Sequence, residues 1–255
     1  MKRHKVCLDA GHGGHDSGAV GPTGHMEKDA TLEVCLYAEH YLKPYVDVVM
    51  TRRTDKFLSL SDRPAIANAA DADAFVSYHF NAGSSTVKQS WEIFTTRGQN
   101  RSDRLATLIG EAHRSNFGSQ YAREEKSDGD LDKEANFTVI IKTKCPSCLM
   151  EGEFISTPHG EKSIKDQEQQ KIRGLAVAIG VLNFLGISHS LIPYIPLNIT
   201  DDLTSSNDEP DYILLDSVKS TIEDNKAVIK SLETAILDLR QTNENLKDSI
   251  RKIKY

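Results

Sequence analysis

The sequence predicts an α/β fold: a mostly parallel, twisted sheet flanked by helices, followed by a separate helical module. Three observations carry that expectation. Short apolar runs alternate with stretches of helical periodicity from Val6 to Leu185, the pattern of strand–helix–strand units. A glycine-rich loop, Gly11-His12-Gly13-Gly14, interrupts the chain directly after the first apolar run. Beyond Leu215 the apolar spacing changes to a heptad.

Taken in order, Val6 to Leu8 reads as a buried strand, and Gly21-Pro22-Thr23-Gly24 as a turn. A helix runs from about Glu27 to Leu42 with Leu32, Cys35, Leu36, Ala38 and Tyr41 on its inner face, and Pro44 ends it. Asp47 to Thr51 is a second strand. Leu60 to Ala70 is a helix capped by Ser59 or Ser61, with Ala65, Ile66 and Ala69 inward. Ala74 to Tyr78 is a third strand ending at His79, and Trp91 to Thr95 a fourth. Arg101 to Arg114 is helical, and Phe137 to Ile141 is a short strand or a helical turn. Cys148 to Met150 is the last strand, ending at Glu151. Glu168 to Leu185 is a long helix with Ile172, Leu175, Ala176, Ile179 and Leu182 apolar, and Gly186 stops it.

Residues 1–187 are thus expected to form one domain, and 188–211, with Pro193, Pro196 and Pro210 among polar residues, a linker. In residues 212–255, Ile222, Ile229, Ile236 and Ile250 share one seam position with Asn243, and Leu232, Leu239, Leu246 and Ile253 share the other with Asn225. Isoleucine at a, leucine at d and a lone asparagine at a favour a two-stranded parallel coiled coil, so a homodimer through residues 215–255 is expected.

At 255 residues, with a net charge of -6, 38% apolar and 27% charged residues, the composition is that of an ordinary globular chain with no basic surface for nucleic acid. No apolar run is long enough to span a bilayer. The basic start Met1 to Lys5 meets Asp9 too soon to be a secretory signal, so synthesis in the cytoplasm is expected, and any work outside would need another release route. Of the four cysteines, Cys7 and Cys35 sit in apolar patterns, and Cys145 and Cys148 read as a reduced pair, with a regulatory disulfide as the alternative, since no second pair completes a structural zinc site.

His12, His79 and Glu151 all fall at carboxyl ends of predicted strands, where sites form in parallel sheets, and Glu27 opens the first helix. Here the sequence resembles the zinc-dependent N-acetylmuramoyl-L-alanine amidases of the Amidase_3 type, which cleave bacterial peptidoglycan. The matching stretches are Leu8 to Gly14, Gly24 to Lys28, Met50-Thr51-Arg52, Arg63 with Ala67-Asn68, Ser77 to Ala82, and Leu149 to Ser156, in family order.

The resemblance implies that His12, Glu27 and His79 bind Zn2+ and that Glu151 is the catalytic carboxylate. Two imidazoles and a carboxylate leave zinc an open position for water. Glu151 would move that water's proton to the departing amine. Asn81 is expected to contact substrate or to pin His79, Arg63 and Asn68 to anchor strand-end loops, and His15 and His25 to be rim residues. His159 is expected in a loop without a role, and Glu153 to face away from Glu151. Glu153 stands where the family has Gly, and Thr157 where it has Asn. With the C-terminal module and no signal, the chain looks like a phage endolysin; a sporulation enzyme is the alternative setting. A silent wall-binding protein that kept the fold, or another zinc peptidase, are the competing functions.

Overall fold

In the computed structural model, residues 3–83, 90–117 and 131–189 are described. Apart from Ser188 and His189, the predicted linker and the heptad module lie outside the described residues.

Six strands form one sheet in the order β2-β1-β3-β6-β4-β5. They are β1 (Lys5–Ala10), β2 (Asp47–Met50), β3 (Ala74–Asn81), β4 (Glu92–Thr95), β5 (Lys133–Glu134) and β6 (Ser147–Phe154). The helices are α1 (Glu27–Leu42), α2 (Asp62–Ala69), α3 (Arg101–Phe117), α4 (Thr138–Ile141), α5 (Pro158–Lys165) and α6 (Gln167–Phe184). Strands β2, β1, β3 and β6 are parallel, as expected. The sheet is mixed, however, because β4 runs antiparallel to β6 and carries β5 with it. The reason is the short Ala82–Trp91 connection: a parallel return needs a crossover of about a dozen residues or more.

From β1 the chain crosses by α1 to β2 on one side, then by α2 to β3 on the other side of β1. This reversal opens a crevice beyond the carboxyl ends of β1 and β3, where open α/β sheets place their ligands. Helices α1, α3 and α6 pack together. Cys7, Phe75 and Leu149 from the sheet meet Ala67 of α2 and Val139 and Ile140 of α4 in a second buried layer.

The periodicity located these helices better than it oriented them. In α1 Val34 is buried and Leu36 is exposed; in α2 the buried side is Arg63, Pro64 and Ala67, with Ala65 and Ala69 exposed. In α6 Ile172, Leu175 and Ile179 are only half-buried, whereas Arg173, Gly174, Val177, Ala178 and Val181 are buried. In α6 the cause is crowding: it is enclosed by α1, α3 and α5, so its most crowded side needs small residues rather than large apolar ones. Arg173 donates there from Nη1 to the Ser163 carbonyl (3.2 Å) and from Nη2 to its hydroxyl (2.7 Å), with its guanidinium over the rings of Phe117 and Phe80 and its Nε without a hydrogen-bond partner among the described residues.

Two elements were not expected from sequence. β5 is only a pair of residues and exists through its pairing with β4. Helix α5 begins at Pro158 with Thr157 as its cap, the hydroxyl accepting from Gly160 N–H (2.9 Å). His159 therefore lies in a helix rather than a loop. Ser61 occupies the N-cap position of α2 without a side-chain cap bond, while Ser59 Oγ, two residues earlier, accepts from Asp62 N–H (3.2 Å). Asn68 ties Lys142 and Lys144 to α2.

The centre of the sheet is held by a buried charge. Asp9 on β1 is fully inaccessible. Its carboxylate accepts from Thr51 Oγ1 (2.7 Å) on one side, Ser77 Oγ (2.7 Å) on the other, and Arg63 Nη1 (2.9 Å) from α2. Replacing Asp9 with Ala would leave the Arg63 guanidinium buried without its counter-charge. The expected loss is about 3–5 kcal/mol, read from urea unfolding of the full chain.

Candidate metal centre and catalytic cleft

The loop after β1 is shaped by two buried arginines. Arg63 donates to the carbonyls of Ala10 (2.7 Å) and His12 (2.8 Å). Arg52 donates to the carbonyls of Ala10 (2.9 Å), Gly11 (2.7 Å) and Lys28 (2.7 Å). Between these anchors the backbone of His12 is left-handed, with φ 60, a conformation that costs a non-glycine residue energy and that the anchors over-determine. Gly11 is required for approach rather than for conformation: a Cβ there would lie 2.3 Å from the His79 ring.

The structure brings His12, Glu27 and His79 together. One ligand atom from each lies within 4.8 Å of the others, the one such group among the described residues. Glu27 Oε1 sits 3.0 Å from His12 Nε2 and 3.0 Å from His79 Nδ1. The same oxygen accepts from Phe80 N–H (3.0 Å), while Oε2 accepts from Ala19 N–H (2.9 Å). Asp16 Oδ2 engages His12 Nδ1 (3.0 Å), which turns Nε2 toward the centre. Asp16 was not singled out in the sequence, although its spacing of four from His12 in the same loop was visible.

The electrostatics favour a cation. Burial works against charge on both His12 and Glu27. Yet hydrogen bonds and charge from Glu27 and Asp16 raise His12, and the two imidazoles take Glu27 far below the usual carboxylate range. A buried carboxylate drawn to two imidazoles is a place where positive charge is stabilised. Two nitrogen donors and one oxygen donor, with a carboxylate behind one histidine, fit a zinc ion that keeps an open coordination position.

Glu151 stands beside this group. It pairs in register with His79 on β3 and with Glu92 on β4, so the three residues form one row across adjacent strands. Its Oε2 is buried and has no hydrogen-bond partner among the described residues. Burial first, and then the charges of Glu27 and Glu92, push its pKa well above the ordinary range. Glu92, which the sequence did not reveal as part of the site, is held by Lys133 Nζ (2.5 Å) and the Asn81 side-chain amide. Asn81 therefore pins Glu92 rather than His79, while also lining the cleft.

Glu153 is separated from Glu151 by a different device from simple strand alternation, which would put residues two apart on one face. The β3–β6 register slips between His79 and Asn81, so that Asn81 pairs with Phe154. After this bulge Glu153 accepts from Ser90 N–H (3.2 Å) and Phe154 N–H (2.9 Å) and does not line the cleft.

The cleft over these groups encloses about 580 Å³. His12, Asp16, Glu27, His79, Asn81 and Glu151 form its polar part, and Phe57, Leu58, Leu60, Phe137 and Val139 its apolar walls. His15 stacks on Phe57 at the rim, with ring centroids 4.0 Å apart. His25 is not among the lining residues; burial lowers its pKa.

With this geometry in hand, comparison with known proteins is informative. The family profile of N-acetylmuramoyl-L-alanine amidase matches residues 6–183. The uncharacterized protein YqiI of Bacillus subtilis is 36% identical over 179 residues, covering 69% of this chain and 82% of its own length. The N-acetylmuramoyl-L-alanine amidase AmiC of Neisseria meningitidis is 28% identical, covering 73% of this chain; the chain spans only 54% of that relative. Among solved structures, the catalytic domain of CwlV, an N-acetylmuramoyl-L-alanine amidase from Bacillus (Paenibacillus) polymyxa var. colistinus, superposes with a TM-score of 0.64 at 31% identity. It covers 74% of this chain and 100% of its own. The match spans every element from β1 to α6, and the chain belongs to the N-acetylmuramoyl-L-alanine amidase family.

Proposed function

We propose that this chain hydrolyses the amide bond between the lactyl group of N-acetylmuramic acid and L-alanine in peptidoglycan. In this reading His12, Glu27 and His79 hold Zn2+ and Glu151 transfers the proton. The observation that carries the reading is the convergence of those three ligands beside a buried, unpaired carboxylate oxygen, in a chain of this family.

When bound, zinc supplies Lewis acidity and brings the pKa of water down to about 7. The remaining work belongs to the protein. Glu151 Oε2 accepts a proton from the water that attacks the lactyl carbonyl carbon. It returns that proton to the L-alanine nitrogen as the carbon–nitrogen bond breaks. A carboxyl whose pKa is raised by burial and by neighbouring negative charge holds a proton more firmly than an exposed one, which suits a group that takes a proton and then hands it on. Asp16 fixes the orientation of His12, and Ala19 and Phe80 hold Glu27. Asn81 and the apolar walls face the substrate.

Glu151→Gln is expected to retain stoichiometric zinc and the unfolding midpoint while wall hydrolysis falls by at least about a hundredfold, the lower end of general acid–base contributions. Wild-type turnover in that variant would remove Glu151 from the mechanism. Digestion of purified walls, with and without chelator, followed by mass analysis of the new termini, tests the bond. Free muramic acid and N-terminal L-alanine are expected only without chelator. Other termini would point to a different zinc peptidase, and zinc binding without release to a silent wall-binding protein.

Residues 215–255 are proposed to pair two copies of the chain, which would hold two clefts on one wall. Sedimentation of the full chain as a dimer is expected; a monomer at micromolar concentration would overturn the pairing.

A further inference from the structure

One buried carboxylate lies outside the cleft and serves no step of the reaction. Glu161 on α5 is 2% exposed and reaches across to the loop between β1 and α1. Its Oε1 accepts from the N–H groups of Thr23 (3.0 Å) and His25 (3.1 Å), and its Oε2 from Thr23 N–H (2.9 Å). Gly21 makes room for it: a Cβ at that position would come 2.4 Å from Glu161 Oε1. The base of the same loop is tied to Glu27. Ala19 N–H donates to Glu27 Oε2 (2.9 Å), and Glu27 N–H donates to the Ala19 carbonyl (2.9 Å). Val20 and Met26 bridge between base and tip. The loop is therefore fastened at one end to a helix packed on α6 and at the other to the carboxylate of the metal centre.

We propose that Glu161 is a positioning residue for that centre. By fixing the tip of the loop it holds Ala19 N–H against Glu27 Oε2, and so keeps Oε1 turned toward His12 and His79. The inference rests on the reading of Glu27 as a metal ligand. A carboxylate whose outer hydrogen bond is loosened samples orientations in which its inner oxygen no longer faces the ion. Loss of such outer partners typically weakens metal binding by about 10–100-fold.

The test is zinc affinity of the full chain, measured by competition with a chromophoric chelator, alongside the urea midpoint of the metal-free protein. Glu161→Ala and Gly21→Ala act on the same contact from its two sides. Each is expected to weaken zinc by about 10–100-fold, and the double variant no more than the worse single one. Glu161→Gln keeps one acceptor oxygen and is expected to recover part of the affinity. Asn68→Ala, which loosens a distant loop anchor, serves as a stability control: it is expected to lower the urea midpoint and leave zinc affinity unchanged. Wild-type affinity in Glu161→Ala, with affinity lost in Glu27→Ala, would overturn the positioning role and leave the ligand reading intact. An affinity loss in Glu161→Ala matched by an equally destabilised Asn68→Ala would also overturn it. Wild-type affinity in Glu27→Ala would overturn the ligand reading itself.

Discussion

The constraint on which the rest depends is the satisfaction of three successive carbonyls at the end of β1. A strand that stops inside a domain leaves its last polar groups without a ladder, and buried carbonyls must find donors. Here two guanidiniums, from the end of β2 and from α2, supply them at Ala10, Gly11 and His12. Both side chains are nearly inaccessible, and Asp9 balances one of the charges. The arrangement fixes the sharp backbone at His12 by hydrogen bonds on either side of it. The backbone of His12 is thereby tied through Arg52 and Arg63 to β2's end and α2, although it sits on a loop.

The position of the centre follows from topology. β1 lies between strands reached in opposite directions, so neither of these two connections crosses the space above its carboxyl end and that of β3. His12 comes from one wall of this gap, His79 from the other, and Glu27 from the helix that leaves it. β6 then adds Glu151 alongside His79, and the reversed β4 adds Glu92 next to Glu151. Three carboxylates are thus gathered where like charges repel, and the two imidazoles offset part of that repulsion. The ion of the proposed function would offset more of it.

Much of this was legible in the chain. Glycine punctuation, the position of His12, His79 and Glu151 at strand ends, and the alternation of strands and helices located the core elements and the polar part of the cleft. The less legible parts have physical reasons. Helix faces were misassigned where small residues, not large ones, mark the crowded side, as at Gly174 and Ala178 in α6. Arg173 reads as a surface residue until Ser163 and two aromatic rings are seen around it. β5 has no local signal because pairing alone makes it a strand. The reversal of β4 was implicit in the short connection from β3. The separation of Glu153 from Glu151 depends on a bulge that no alternation pattern encodes. Helix α5 was announced by Thr157-Pro158, a hydroxyl cap followed by proline at the first turn.

The row formed by His79, Glu151 and Glu92 has a consequence for how the molecule comes into being. His12, Glu27 and His79 all lie in the part of the chain up to β3, whereas the carboxylate proposed to carry the proton stands on β6, the last strand in chain order among the described residues. In the sheet that strand lies between β3 and β4, both of which precede it in the chain. On the proposed assignment, the residues that would hold an ion are therefore translated well before the one that would move a proton. The two roles are written apart in the chain and meet only where the interior of the sheet is filled.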